Sequence, residues 1–172
     1  MKKITLVLLL LITTISFSQE KDGGYLQDIN KKHEVKINAL TLLAAKWLDV
    51  SYEKLIDEES SFGISTTINT DTNQTDLSYA ITPFYRRYFS DKFARGFFVE
   101  GFGALYSADD DGLFDAGNEE KTGLAFGFSI GGKFVSTKGF STEILLGLGR
   151  NFFESEHNEA YGRIGISMGY RF

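Results

Sequence analysis

The chain has no cysteine, a single proline, two histidines and no long apolar run. Each shortage excludes something. Without cysteine there is no disulfide framework, no thiol chemistry and no lipid-modified N-terminal cysteine. Without an apolar stretch of about 20 residues, no segment is suited to cross a bilayer as a helix. The formal net charge of −5 argues against a nucleic-acid partner. What is plentiful is 16 Phe, 8 Tyr and 18 Gly. Aromatics and glycines without apolar runs suit many strands better than helices.

The N-terminus reads as an export signal. Lys2 and Lys3 precede an apolar stretch from Ile4 to Ile12, followed by small and polar residues to Ser18. Ser16 and Ser18 stand where a signal peptidase reads small residues before Gln19. About 9 apolar residues are too few to span, so residues 1–18 are expected to be a secretory signal peptide. Residues 19–32 are polar and are expected to form a periplasmic lead-in. Residues 33–172 are expected to be one domain.

Within that domain the hydrophobic pattern has period two, the signature of strands with unlike faces. Strands are predicted near 34–44, 46–56, 61–70, 76–88, 96–106, 122–135, 139–151 and 160–172, separated by Gly, Asp, Asn, Ser and Lys. The last strand is the clearest. Ile164, Ile166, Met168, Tyr170 and Phe172 alternate with Arg163, Gly165, Ser167, Gly169 and Arg171. Across all eight strands the apolar face carries one charge, Lys54, near a strand end. The opposite face carries Lys36, Asp49, Glu53, Arg86, Glu100, Lys133, Glu143, Arg163 and Arg171, spaced by Gly, Ser and Ala. Five of the nine are positive and four negative.

This pattern predicts an all-β fold: an eight-stranded antiparallel up-and-down transmembrane β-barrel, with apolar side chains outward and a charge network filling a narrow bore. The connections support it, because long polar gaps (71–75, 107–121, 152–159) alternate with shorter ones (57–60, 89–95, 136–138). One ring of outward aromatics falls at the end expected to be periplasmic: Phe62, Tyr85, Phe97, Phe134, Phe140, Tyr170 and Phe172. That is the arrangement of an aromatic girdle at a membrane interface. A soluble barrel of lipocalin type is the rival, and it would need the apolar face inside and a glycine-rich exterior. Two places resist the pattern. Leu40, Leu42 and Leu43 break the alternation at the top of the first strand. Pro83 lies mid-strand, where a bulge would shift register and leave open whether Arg86 or Arg87 faces inward.

The whole chain after the signal resembles small bacterial outer-membrane barrels of the OmpA/OmpX-like sort, whose last strand also closes on an aromatic such as Phe172. Lys36-Ile37-Asn38, Ser51-Tyr52-Glu53 and the run Ile81 to Tyr88 resemble a family of uncharacterised outer-membrane barrels with K-x-N, S-x-E and P-x-x-R-Y-Y patterns. Here Phe89 replaces the second Tyr of the last pattern. The resemblance implies location and fold and brings no catalytic residue. It also implies that the C-terminal strand is read by the barrel assembly machinery, and that outer-membrane lipid is a partner. Partners of the extracellular loops are left undefined.

Candidate chemistry is sparse. The acidic loop 107–121 holds Asp109, Asp110, Asp111, Gly112, Asp115, Glu119 and Glu120. It faintly echoes a calcium loop but lacks the bidentate Glu, so a solvated loop is expected. The charged face offers paired carboxylates for acid–base work, or walls for a narrow channel; a structural ion-pair network is the expectation. His157, beside Ser155 and Glu156, is a conceivable lipid-modifying pair, and His33 precedes the first strand. Glycines of Gly123–Gly132 sit at strand spacing and form no phosphate loop. No cofactor, metal or catalytic residue is therefore expected. The function expected is a structural or surface-interaction protein of the outer membrane, with a narrow channel and a lipid A-modifying enzyme as alternatives.

Overall fold

The structure, a computed structural model, describes residues 30–70, 77–90, 92–109, 120–152 and 160–172. Among them eight strands follow in order: β1 His33–Asn38, β2 Trp47–Leu55, β3 Ser60–Asn69, β4 Leu77–Tyr88, β5 Gly96–Asp109, β6 Glu120–Val135, β7 Phe140–Asn151 and β8 Ala160–Arg171. Each pairs antiparallel with its sequence neighbours, and β1 pairs with β8, closing an up-and-down barrel. The all-β, eight-stranded antiparallel up-and-down barrel read from the sequence is the fold observed.

The registers give the barrel its slant. Starting at Glu34, the pairs run Glu53, Gly63, Phe84, Phe102, Gly127, Gly149 and reach Tyr161 on β8. Glu34 itself closes onto Arg171. The circuit therefore returns ten residues away along β8, from Tyr161 to Arg171. Eight strands with that stagger tilt about 40° from the barrel axis and leave a bore just wide enough for side chains.

The first predicted strand is shorter than the sequence suggested. Residues 34–44 do not continue as strand. After Asn38 the chain turns into a short helix, α1 (Ala39–Ala44), whose N-terminus Asn38 caps by accepting from the Thr41 N–H at 3.4 Å. The three leucines that broke the alternation belong to this helix, where period two no longer applies. Lys46 then takes a left-handed φ of 56° to enter β2. Two other strands are longer than expected: β5 and β6 extend into the acidic segment, pairing up to Asp109↔Glu120.

Pro83 does not shift the register. It pairs with Ile64 of β3, and the ladder to β5 resumes in step at Phe84↔Phe102. The irregularity in β4 falls instead between Leu77 and Tyr79. Arg86 consequently faces the bore and Arg87 the outside, where Arg87 pairs with Glu59.

At the end that carries the chain termini, the β4–β5 turn folds under the barrel. Phe93 and Ala94 are buried, with Ala94 held at a left-handed φ of 41° and its N–H donating to Glu58 O at 2.7 Å. They pack with Leu55, Tyr88, Phe98 and Leu145 into an apolar floor. A second buried cluster of Phe84, Phe102, Ala104 and Ala125 packs against Tyr106 and Tyr161.

Candidate functional site: the charged bore

Seven of the eight strands turn a charged side chain toward the axis, and β3 alone carries no charge. At the centre is Glu53, fully buried on β2. Its Oε2 accepts from Lys36 Nζ at 2.6 Å, Lys133 Nζ at 2.7 Å and Arg86 Nη1 at 3.1 Å. Its Oε1 accepts from Ser61 Oγ at 2.6 Å and Tyr88 OH at 2.5 Å. Arg86 forks onto Glu143 at 2.6 and 2.8 Å and donates from Nε to Glu100 at 2.6 Å. Lys36 also reaches Glu143, at 2.7 Å. Arg163 pairs with Glu100 on the other side. Arg171, at the end of β8, donates to Glu34 at 3.1 Å and clamps the plug through the carbonyls of Phe93 (3.2 Å) and Ala94 (2.8 Å).

Eight of the nine bore residues singled out from the sequence thus meet in one connected network. Asp49 stands apart, toward the end opposite the termini. It accepts from Ser65 Oγ at 2.5 Å and Asn38 Nδ2 at 3.1 Å. A tenth charge, Glu34, was missed. It is fully buried, accepts from Ser141 at 2.8 Å and sits near Lys133. It shares the parity of Lys36, so reading the inward face back to the first strand residue would have found it. Adding Glu34 to the nine brings the bore to five acids and five bases. Neutrality matters here because a buried charge is tolerated only when an opposite charge and hydrogen bonds replace its water.

The inward aromatics were also missed. The Arg86 guanidinium lies 4.5 Å from the ring centre of Phe84 and 4.4 Å from that of Phe98. Arg163 lies over Phe102 at 4.8 Å and Lys133 over Tyr88 at 5.2 Å. Ring faces are negative and offer cations a weakly competing surface that also fills space. The signal was available: residues 84, 86 and 88, and 98, 100 and 102, share one face by alternation. Glycine gives the arms passage. A Cβ at Gly169 would fall 2.8 Å from Ser141 Oγ and crowd the Lys36 stem.

Carboxylate oxygens of Glu34, Glu53 and Glu143 gather within 4.8 Å of one another, the spacing of a metal site. Lys36, Lys133 and Arg86 already supply positive charge among them. The group is internally neutralised, and the donor set does not call for an ion. Toward the end opposite the termini the bore widens into a cavity of about 90 Å³, lined among others by Asn38, Asp49, Ser65, Thr82, Tyr161 and Arg163.

On the outer wall the arrangement is reversed. Phe62, Tyr85, Phe97, Phe134, Phe140, Tyr170 and Phe172 are all exposed, each near the end that carries the termini. Phe62 pairs with Tyr85 across β3–β4, and the Phe140 and Tyr170 rings meet edge to face at 5.3 Å. Lys54 lays its ammonium 5.9 Å from the Phe62 ring centre. His33 is part of this surface too. Its Nδ1 lies 2.6 Å from Tyr52 OH, and its ring stacks on Tyr52 and Phe172. Ser155 and His157 lie outside the described residues, as does most of the acidic segment, positions 110–119.

A family model described as "Protein of unknown function (DUF3575)" matches residues 4–165. The chain belongs to that family. Neither the curated proteins nor the solved structures contain a match to it.

Proposed function

We propose that this member of a family of unknown function is an outer-membrane β-barrel that serves through its wall and loops, and neither conducts freely nor catalyses. One observation carries the reading: the barrel is inverted relative to a water-soluble one. Glu53, Glu100 and Arg171 are 0% exposed, whereas Phe128 is 73% and Leu148 72% exposed. So large a continuous apolar wall is unfavourable in water and favourable in lipid. On β6 the outward run from Leu124 to Phe134 has no charge. At about 3.3 Å per residue and a tilt near 40°, it covers roughly 25 Å of height, the span of an outer-membrane belt.

The order basic, apolar, small-polar in residues 1–18 supports export, and the terminal aromatic strand supports recognition by the barrel assembly machinery. A free channel is disfavoured because salt bridges and the Phe93–Ala94 plug cross the bore. The test is fractionation with heat-modifiable gel mobility, followed by planar-bilayer recording. Recovery with outer membranes, a compact unheated band and no steady conductance are expected. A water-soluble monomer without surfactant would refute the membrane assignment, and stable unit conductance would favour the channel. Loss of lipid A acyl chains in expressing cells would favour the enzyme.

A further inference from the structure

The barrel wall has one seam. Pairing between β1 and β8 ends at Asn38↔Ser167, because the chain leaves β1 for helix α1. The Asn38 side chain extends the ladder by one step, donating to Ile164 O at 3.2 Å and accepting from Ile166 N–H at 3.2 Å. Beyond it, the rest of β8 has α1 beside it instead of a strand, and α1 also touches β2. On the outer face a Cβ at Gly162 would meet nothing within 4 Å among the described residues. The cavity in the wide part of the bore reaches this place: Thr41 of α1, Gly162 and Ile164 line it together with Asp49 and Arg163.

Four charges line that cavity: Arg86 and Glu143 answer each other, while Asp49 and Arg163 are incompletely matched. Asp49 has hydroxyl and amide donors but no cation partner among the described residues. Arg163 makes one hydrogen bond among the described residues, from Nη1 to Glu100, and its side chain keeps 14% exposure. Among the described residues its other N–H groups have no hydrogen-bond partner. Every other bore carboxylate has a cation against it. A cavity with a carboxylate that lacks a cation, a guanidinium with spare donors and an interrupted strand ladder beside it fits a ligand of matching form.

We propose that the upper bore binds the zwitterionic phosphoethanolamine headgroup of a lipid. The ammonium is placed on Asp49, the phosphate on Arg163, and the acyl chain leaves through the β1–β8 seam. This rests on the membrane reading above. The compact ammonium suits the space, since about 90 Å³ holds several waters or one small polar group.

Trp47, the one tryptophan in the chain, lines the cavity and reports on it. The experiment reconstitutes the full chain in unbrominated phosphatidylcholine vesicles and adds a single-chain phosphoethanolamine lipid brominated on its acyl chain. Quenching of Trp47 should saturate at low mole fraction. Arg163→Gln and Asp49→Asn should each weaken it about tenfold, the loss of roughly one charge-assisted contact. If either variant loses its heat-modifiable band, Thr67→Phe fills the cavity from β3 and should abolish saturation. Quenching that rises linearly and equally in wild type and variants would overturn the site. Water-soluble phosphoethanolamine shifting Trp47 emission as strongly as the lipid would overturn the exit through the seam. Failure of the wild type to insert would overturn the membrane reading and the site together, whereas insertion with linear quenching would overturn the site alone.

Discussion

The two halves of the bore are built from the same materials to opposite ends. In the half near the termini, Glu34, Glu53, Glu100 and Glu143 are locked to Lys36, Arg86, Lys133 and Arg171, and an apolar plug seals the floor. In the other half, Asp49 and Arg163 face a cavity and are held mainly by neutral or single partners. Charge in a barrel interior is tolerated where opposite charges and hydrogen bonds replace its water. Where the set of charges closes, it acts as a solid core. Where it stays open, it leaves room for something else.

The largest effect that tests this contrast is Glu53→Ala. It strips three cations of a shared acceptor, and breaking such a buried pair costs about 3–5 kcal/mol. Urea unfolding in detergent micelles should show that loss. A cost below about 1 kcal/mol would mean that water enters the lower bore and the two halves are alike.

Next comes the contrast of inside and outside. Ile166→Arg puts a charge on the outer wall and should cost about 2–4 kcal/mol near the membrane midplane. Ser167→Arg points the same group into the bore beside the cavity and should cost less. Unfolding the pair from lipid vesicles checks the ranking, and the reverse order would mean the facing is wrong.

Asp49→Asn should be milder still, at about 1 kcal/mol or less, because hydroxyl and amide donors retain an oxygen acceptor on the side chain. Its unfolding midpoint set beside that of Glu53→Ala measures the difference between the halves directly.

The smallest effect lies outside the wall, in the β2–β3 turn. The Ser60 hydroxyl and then the Glu59 N–H hold the Asp57 carboxyl below the ordinary carboxylate range. A group with a depressed folded pKa adds stability that is present above its unfolded value and lost as pH falls through its folded value. Asp57→Asn should therefore lower stability slightly at neutral pH, leave it nearly unchanged below the folded pKa, and so flatten the acid limb of the stability curve. An unaltered acid limb in a pH series would show that the turn contributes nothing.

Much of the fold was legible because period-two alternation states two things at once: that a segment is a strand, and which face it turns inward. That is why Arg171 and Phe172, adjacent in sequence, were assigned to opposite surfaces. The short helix α1 was illegible for the same reason, since Leu40, Leu42 and Leu43 carry no alternation and too few residues to establish a helical period. Pro83 looked like a register problem because a proline removes one ladder donor. The wall tolerates that loss by letting a single stretch of the β4–β5 ladder lapse while β3 keeps the strand in step.

Strand count, antiparallel order and the division into an apolar and a charged face were settled by the sequence, since each depends on neighbours two residues apart. Which charges meet was decided only on closure. Lys36 and Glu143 are 107 positions apart in the chain, and it is the ten-residue stagger of the closed barrel that brings them to one level. With β1 cut short, the β1–β8 ladder ends at Asn38. No local pattern carries the stagger, because shear belongs to the whole circuit of eight strands.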